Sequence, residues 1–493
     1  MRTTPLTGRP GPGRALRATL TAGVIAAAAA TAALAIPGAA QAAASTANTA
    51  KAATVSSTPG PGTQASGTLA NGTTWIAEYP ANWNGTLVLY SHGFGPLVPA
   101  DAPDPGTAAA LLAEGYALAG SSYDPNGPIW ALDTAVSDQF GTLAAVESTV
   151  LPARPHHVIA LGTSMGGLVS ALEAQDGRGR IDGSLTTCGI VAGGVNLNEF
   201  QLDGEYAIAQ LLLPGQNVQL TGFADDGAAL GTAAQLTAAA TAAQQTPQGR
   251  ARLALALAFL NAPAWDATSG APVTSTPDAQ EAAQEANEFG GAFSIMDFIE
   301  LGRVSIDQAD GGSANWDVGV NFAADLARSP YRAQVEALYK EAGLSLPGDL
   351  GNLTAHTTTT PNLAALASLY RTSVPTGRLA VPELDIHTLG DNLVPVQMET
   401  YYEHQVDQAG SGDLLRQAYT ESFGHCNFSP AELVAGVHAL MHRITTGHWG
   451  DAATTASLEA AATALNLGPA RFTDERPGRL TGSVPTPFRA WLR

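Results

Sequence analysis

Basic residues are scarce in this chain. Its 493 residues include 23 lysines and arginines, only two of them lysine, against 43 aspartates and glutamates, for a formal net charge of -20. No basic stripe is left to neutralise phosphates, so nucleic acid is not an expected partner, and polyanionic substrates are mildly disfavoured. Cysteine is scarcer still, with two residues and no paired spacing, and no His-Glu-x-x-His string occurs. Neither a structural zinc site nor a zinc peptidase site is expected, and no cofactor is called for. Internal repeats are absent apart from alanine-rich bias, which argues against a solenoid.

Charge is also missing from residues 20–36, an alanine-rich apolar run. Arg9, Arg14 and Arg17 precede it, and the small-x-small triplet Ala40-Gln41-Ala42 follows. That order is the pattern of a cleaved export signal. A membrane anchor is the alternative, since the run approaches spanning length, but alanine contributes little transfer energy. The expectation is a signal peptide over 1–42 and a secreted mature chain from Ala43 with no stable membrane span. A disordered leader rich in Ala, Ser, Thr, Gly and Pro is expected over 43–68.

What is present is enough apolar sequence, 45% of residues, for a large core, in a chain too long for one ordinary domain. Residues 73–79 and 85–90 read as strands split by the turn Asn82-Trp83-Asn84-Gly85. A helical pattern over 107–114, a strand over 116–122 and a helix over 133–152 follow. This alternation predicts a mostly parallel sheet covered on both faces. The next apolar run, Val158-Ile159-Ala160-Leu161, leads into Gly162-Thr163-Ser164-Met165-Gly166-Gly167 and then a helical pattern. A serine at the tip of a strand-to-helix turn is presented at the carboxyl end of the sheet, with helix amides aimed at the same spot. A Gly/Ser turn before an ordinary helix has the same composition, so partners must be sought.

Downstream, an apolar stretch from Leu379 runs into Gly390-Asp391-Asn392-Leu393-Val394-Pro395. Beyond it, Tyr419-Thr420-Glu421-Ser422-Phe423 runs into Gly424-His425-Cys426, followed by a helix that starts near Ser429-Pro430. Imidazole can take a serine proton near neutral pH and return it to a leaving group, while a buried carboxylate orients the ring. Aspartate is common in turns, and His425 is one of ten histidines. Three loops at strand ends in the order Ser, Asp, His outweigh those bland readings. Asp385 is the alternative acid, but it lies within its strand. Glu421 lies too close to His425 along the chain.

With these motifs the sequence resembles the α/β-hydrolase superfamily of serine esterases, lipases and peptidases. The early Ser91-His92-Gly93-Phe94-Gly95 loop is similar to the His-Gly loop of that family. The resemblance covers roughly 65–195 and 375–450. It implies Ser164 as nucleophile, Asp391 as acid, His425 as base, and the amides of Phe94 and Met165 as oxyanion donors. The fold class expected is α/β, an α/β-hydrolase fold with a mostly parallel central sheet and a large inserted helical cap. In that sheet the strand-like run around Cys188 neighbours the nucleophile strand. A Cys188–Cys426 disulfide would tether the histidine loop, contributing on the order of 4 kcal/mol through the unfolded state. Two separate buried thiols are the alternative.

The domains expected are a first core part over 69–199, a cap over 200–370, a second core part over 371–467 and a C-terminal extension over 468–493. The extension should pack back through Phe488 and Trp491. The insert reads as helices over 200–213, 228–245, 250–261, 277–288, 293–303, 318–328, 331–342 and 362–371. Its apolar side chains include Phe259, Leu260, Phe293, Ile295, Met296, Phe298, Ile299 and Trp316, either as ordinary packing or as an acyl-binding wall. The function expected is hydrolysis of a small-molecule or lipid-like ester with an apolar or aryl group. A serine peptidase of aminopeptidase type is the alternative, for which Glu288, Asp297, Glu300 and Asp317 are the available cap acids. A polyester depolymerase needs an open cleft, which the long insert disfavours. A non-enzymatic binding module is disfavoured by a complete triad.

Overall fold

The computed structural model describes residues 54–55, 62 and 64–482. The expected signal peptide, nearly all of the leader before residue 64, and Phe488 and Trp491 lie outside them. A short strand, β1 (Thr54–Val55), precedes the antiparallel pair β2 (Gln64–Thr68) and β3 (Thr74–Glu78). The leader expected through residue 68 is thereby corrected: 64–68 pairs along its whole length with β3, and Ala65 and Gly67 are buried. Strands then alternate with helices: β4 (Thr86–Ser91), α1 (Pro105–Ala113), β5 (Ala117–Ser121), α2 (Ala135–Thr149), β6 (His157–Thr163), α3 (Met165–Asp176) and β7 (Gly183–Thr187). Every residue of β4, β5 and β7 is buried, so these strands lack the apolar–polar alternation of a half-exposed sheet.

An insert follows, made of α4 (Gly193–Leu212), α5 (Asp226–Ala243), α6 (Pro247–Leu260), the small hairpin β8 (Trp265–Asp266) and β9 (Ala271–Pro272), α7 (Pro277–Phe289) and α8 (Ile295–Asp310). It ends with α9 (Phe322–Arg328), α10 (Arg332–Ala342), α11 (Leu346–Ala355) and α12 (Leu363–Ser373). The chain returns to the sheet with β10 (Glu383–Gly390), α13 (Gln397–Gln408), β11 (Leu415–Phe423), α14 (Pro430–Thr446), α15 (Thr455–Leu465) and β12 (Phe472–Thr473).

The main sheet runs in the order β1-β2-β3-β5-β4-β6-β7-β10-β11-β12. From β5 to β11 all neighbours are parallel, and antiparallel strands flank both edges. With a strand–turn–helix elbow on the central β6 and a helical insert after β7, this is an α/β-hydrolase fold with an inserted cap.

Polar breaks in the insert become helix caps. The side chains of Asp225, Thr246, Thr276 and Ser294 accept from first-turn amides of α5 to α8. The insert has its own core, in which Phe259 and Tyr206 pack on Phe322. Several boundaries differ from expectation. The helix α4 begins at Gly193 rather than 200, so cap and core share one continuous buried helix. The predicted helix over 318–328 starts only at Phe322, where Asn321 caps it. The hairpin β8–β9 and helix α11 are additions to the helices read for this region, which left gaps after 261 and after 342. Both are short, and α11 carries three residues of poor helix propensity, Pro347, Gly348 and Gly351. In the described part of the extension, β12 pairs with β11 and Leu480 is buried in the main core; the contacts expected of Phe488 and Trp491 lie outside the described residues.

Candidate active site

The loop between β6 and α3 turns on Ser164, whose φ of 60° and ψ of -123° lie outside the regions L-residues favour. The glycines around it are required by close approach. A Cβ on Gly162 would sit 1.9 Å from the carbonyl oxygen of Gly166, and one on Gly166 would sit 1.9 Å from that of Ser91. The elbow is anchored from the next strand, where the Ser164 amide donates to the Thr187 carbonyl at 3.0 Å.

Ser164 Oγ lies 2.8 Å from His425 Nε2. On the far side of the ring, His425 Nδ1 lies 2.8 Å from Oδ2 and 3.0 Å from Oδ1 of Asp391. The arrangement places the ring proton on Nδ1 and leaves Nε2 to accept from the hydroxyl. Asp391 is 2% exposed, and its Oδ1 also accepts from the amides of Leu393 and Val394, both at 2.9 Å. Burial by itself would raise this carboxyl. The charges and hydrogen bonds of His425 and His387 outweigh burial and hold it well below the usual carboxylate range. The acid and base loops are tied together, since Gly424 donates to the Gly390 carbonyl and Thr388 Oγ1 donates to that of Gly424.

Asp385, the alternative acid, is fully buried on β10, and burial together with Glu383 and Glu399 raises it well above the carboxylate range. A neutral acid there does not orient a ring. His425 takes its hydrogen bonds from Asp391. The Cys188–Cys426 disulfide is present, with Cα atoms 5.4 Å apart. It joins the loop after β7 to the residue beside the candidate base, and Cys426 Sγ lies 3.3 Å from His425 Nε2.

The amides of Met165 and Phe94 find no acceptor among the described residues. The loop after β4 that carries Phe94 is braced from below. Gln139 Nε2 donates to the Tyr90 carbonyl and to Ser91 Oγ, both at 2.6 Å, and Tyr123 Oη donates to the His92 carbonyl at 2.8 Å. Sequence reading missed these braces. The signal for Tyr123 is its place at the end of β5, where strand ends converge on the site.

A cleft of about 30 Å³ opens on Ser164, lined by Phe94, Trp130, Ile190, Leu197, Phe298 and Ile306 among others. Phe298 meets Phe94 edge-on, with ring centroids 5.5 Å apart. The insert therefore supplies a wall of the cleft through α4 and α8. Of the apolar cap residues read from the sequence, Phe298 and Ile299 line it. Phe259, Leu260 and Met296 instead fill the insert's own core, and Trp316 packs into the main core, so these are corrections to a common acyl wall.

Of the four cap acids, Asp297 closes the capping box of α8 with Ser294, and Asp317 accepts from the amide and hydroxyl of Thr359. Glu300 joins Glu205 around the buried Arg303. Burial, then Glu205, pushes Glu288 up to about 8. Missed entirely was His387, on β10 four residues before Asp391. Its Nδ1 lies 2.9 Å from Glu399 Oε1, and its Nε2 lies 2.9 Å from the Val394 carbonyl and 3.5 Å from Asp391 Oδ2. Burial opposes its charge, but the hydrogen bonds to Asp391 and Glu399 prevail and push it up to about 10. Among the described residues the one cluster with metal-ligand spacing, Cys188, His425 and Cys426, is the disulfide and the candidate base. No helix there is long and apolar enough to cross a membrane.

No known family profile matches the chain. An o-phthalyl amidase of Xanthobacter agilis is 29% identical over 463 residues, covering 87% of this chain and 97% of that protein. Among solved structures, an esterase from Aspergillus oryzae aligns over 78% of this chain and 80% of its own at 12% identity and a TM-score of 0.37. Feruloyl esterase B from Aspergillus oryzae covers the same shares at 15% identity and a TM-score of 0.35. The rice cell wall degrading esterase LipA from Xanthomonas oryzae covers 77% of this chain and 88% of its own at 16% identity and a TM-score of 0.34. The fold assignment rests on the strand order and the elbow described above.

Proposed function

We propose that the chain is a secreted serine hydrolase that cleaves esters and amides of an apolar or aryl acid through an acyl-enzyme. The observation that carries this reading is the unbroken relay from Ser164 through His425 to Asp391. Ser164 Oγ attacks the carbonyl carbon while its proton passes to His425 Nε2. Asp391 holds the ring and stabilises the imidazolium that forms. The oxyanion is met by the amides of Met165 and Phe94, which find no acceptor among the described residues. The imidazolium returns the proton to the departing alcohol or amine. Water then repeats the sequence and releases the acid.

The amidase name of the 29% identical relative favours including amide bonds. An aminopeptidase needs a charged carboxylate for the substrate ammonium, and the cap acids are either engaged or, like Glu288, favoured in the neutral form. A polymer surface needs a broad open cleft, whereas α4 and α8 wall this one. Export is supported by the signal pattern and by a disulfide, which persists in oxidising compartments. Protein recovered from the medium is expected to begin near Ala43.

The test is a fluorophosphonate probe, with peptide mapping, beside paired aryl esters and anilides. Labelling at Ser164 and loss of at least about a thousandfold in kcat for Ser164→Ala are expected. Labelling at another serine, with Ser164 untouched, overturns the reading.

A further inference from the structure

The loop that carries the Phe94 amide is loose by composition. Phe94 stands between Gly93 and Gly95, and glycine on both sides leaves the intervening peptide units free to turn. Glycine at 93 serves a close approach, since a Cβ there would sit 3.2 Å from Ser164 Cβ and 3.4 Å from the Thr163 carbonyl oxygen. An oxyanion donor contributes most when it is oriented before charge develops. A loop of this composition needs a brace from outside its own backbone.

His92 supplies one. Its Nδ1 lies 2.8 Å from the Gly93 carbonyl oxygen. A carbonyl only accepts, so Nδ1 carries the proton and donates. Burial, the largest influence on this ring, holds it below the ordinary histidine value and keeps it neutral near pH 7. The Gly93 carbonyl and the Phe94 N–H belong to one planar, trans peptide unit and point in opposite directions. Fixing the oxygen therefore aims the amide.

Tyr123 fixes His92 in turn. Its Oη donates to the His92 carbonyl at 2.8 Å, and its ring packs on the imidazole with centroids 4.3 Å apart. Tyr123 is fully buried, and its φ of 57° lies in the left-handed region, uncommon for a residue with a side chain. Ser122 Oγ pins that backbone by donating to the Tyr123 carbonyl at 2.7 Å. Backbone conformations of this kind cluster where a site must be held in one geometry.

We infer that His92 and Tyr123 are positioning residues that orient the Phe94 amide toward the developing oxyanion, Tyr123 acting through His92. This rests on the acyl-enzyme reading above.

The test compares wild type, His92→Phe, His92→Asn and Tyr123→Phe on an aryl ester. It also measures inhibition by an aryl trifluoromethyl ketone, which forms a tetrahedral adduct on a serine nucleophile and presents an oxyanion. His92→Phe keeps a ring against Tyr123 and removes the donor. It is expected to lower kcat by about 10- to 100-fold with KM little changed, approaching the loss of a whole oxyanion donor. Tyr123→Phe removes one oxygen and is expected to lose about 5- to 20-fold in the same manner. In both, the ketone is expected to bind more weakly by the factor that kcat/KM falls. His92→Asn places an amide N–H near the position of Nδ1 and is expected to recover most of the loss. Complete fluorophosphonate labelling of Ser164 counts the folded sites in each variant. If His92→Phe does not fold, Tyr123→Phe and His92→Asn carry the test. Fully labelled variants that keep wild-type kcat and ketone affinity overturn the inference, and so does a loss confined to KM or to the labelled fraction. A folded wild type that neither labels at Ser164 nor turns over the ester or its anilide overturns the acyl-enzyme reading instead, so the two failures are distinguishable.

Discussion

Asp391 stands between two imidazoles, and each makes a different demand on it. As the proposed base, His425 needs it ionised and fixed, so Asp391→Asn is expected to fold normally and lose about 10³- to 10⁴-fold in kcat through misorientation of the ring. Asp385→Asn is expected to keep activity, because that residue makes no contact with the base. Activity lost with Asp385→Asn and kept with Asp391→Asn would reverse the assignment. His387 adds a second positive charge behind the acid, held there by Glu399, which also accepts from Gln417 Nε2 at 2.7 Å. Without it the Asp391–His425 pair is easier to protonate. His387→Gln is therefore expected to lower kcat with little change in KM and to move the acid limb of the kcat/KM profile to higher pH. A merely structural role would reduce the folded fraction and leave the limb where it is.

At the level of elements, the His425 loop is held by a cross-link and the wall of the cleft by a helix. The disulfide closes a loop spanning 238 residues and joins the end of β7 to the residue after His425. Mild reduction is expected to cost activity before ellipticity, as the Cys426 end of the loop loosens around His425. Parallel loss of both signals on reduction would show that the bond holds the whole fold. Helix α8 brings Phe298 to the cleft, whereas Trp316, in the loop beyond it, belongs to the main core. Phe298→Ala is expected to shift relative kcat/KM among acyl groups, at about 1–3 kcal/mol for each methylene accommodated. Trp316→Ala is expected to destabilise by about 3–5 kcal/mol and leave the preference unchanged. A flat preference in the Phe298 variant would place the acyl site elsewhere.

The molecule as a whole buries many carboxyls, and this sets how its stability varies with pH. Burial chiefly, with smaller neighbour effects, pushes Glu288 up to about 8, Glu281 to about 7 and Asp307 and Asp310 to about 6. Across that window the folded state keeps protons that the unfolded chain has released, so stability falls as pH rises. His387 acts in the same direction. Its contribution is complete below the unfolded value near 6.5 and is lost as pH climbs through about 10. Asp391 acts oppositely, but only below its unfolded value of 3.8. The Tm is expected to fall steadily from pH 5 to 8.5, and Glu288→Gln is expected to flatten the upper part of that slope. A Tm that is constant or rising over this range contradicts the assignment of buried neutral acids.

The elbow was legible because it is local. Backbone sterics and strand–helix approach within Gly162 to Gly167 are encoded in consecutive residues, and strand ends mark where Asp391 and His425 fall. Helix caps such as Thr246 and Ser294 were legible as polar breaks for the same reason. The alternating segments sufficed for the sheet class, since strand–helix alternation predicts a mostly parallel sheet covered on both faces. Nothing local distinguishes Phe298 from Phe259. Those roles depend on which face of each insert helix meets the sheet, and that is settled by packing among segments far apart in the chain, as where Phe298 meets Phe94. His387 is likewise an ordinary strand residue until β10 and α13 bring Glu399 to one side of its ring and Asp391 to the other. Local conformation and the order of the reactive groups were determined by the sequence itself. The pocket's shape and the charge behind the acid were decided only by tertiary contact, because they are sums over side chains that no short window of sequence contains.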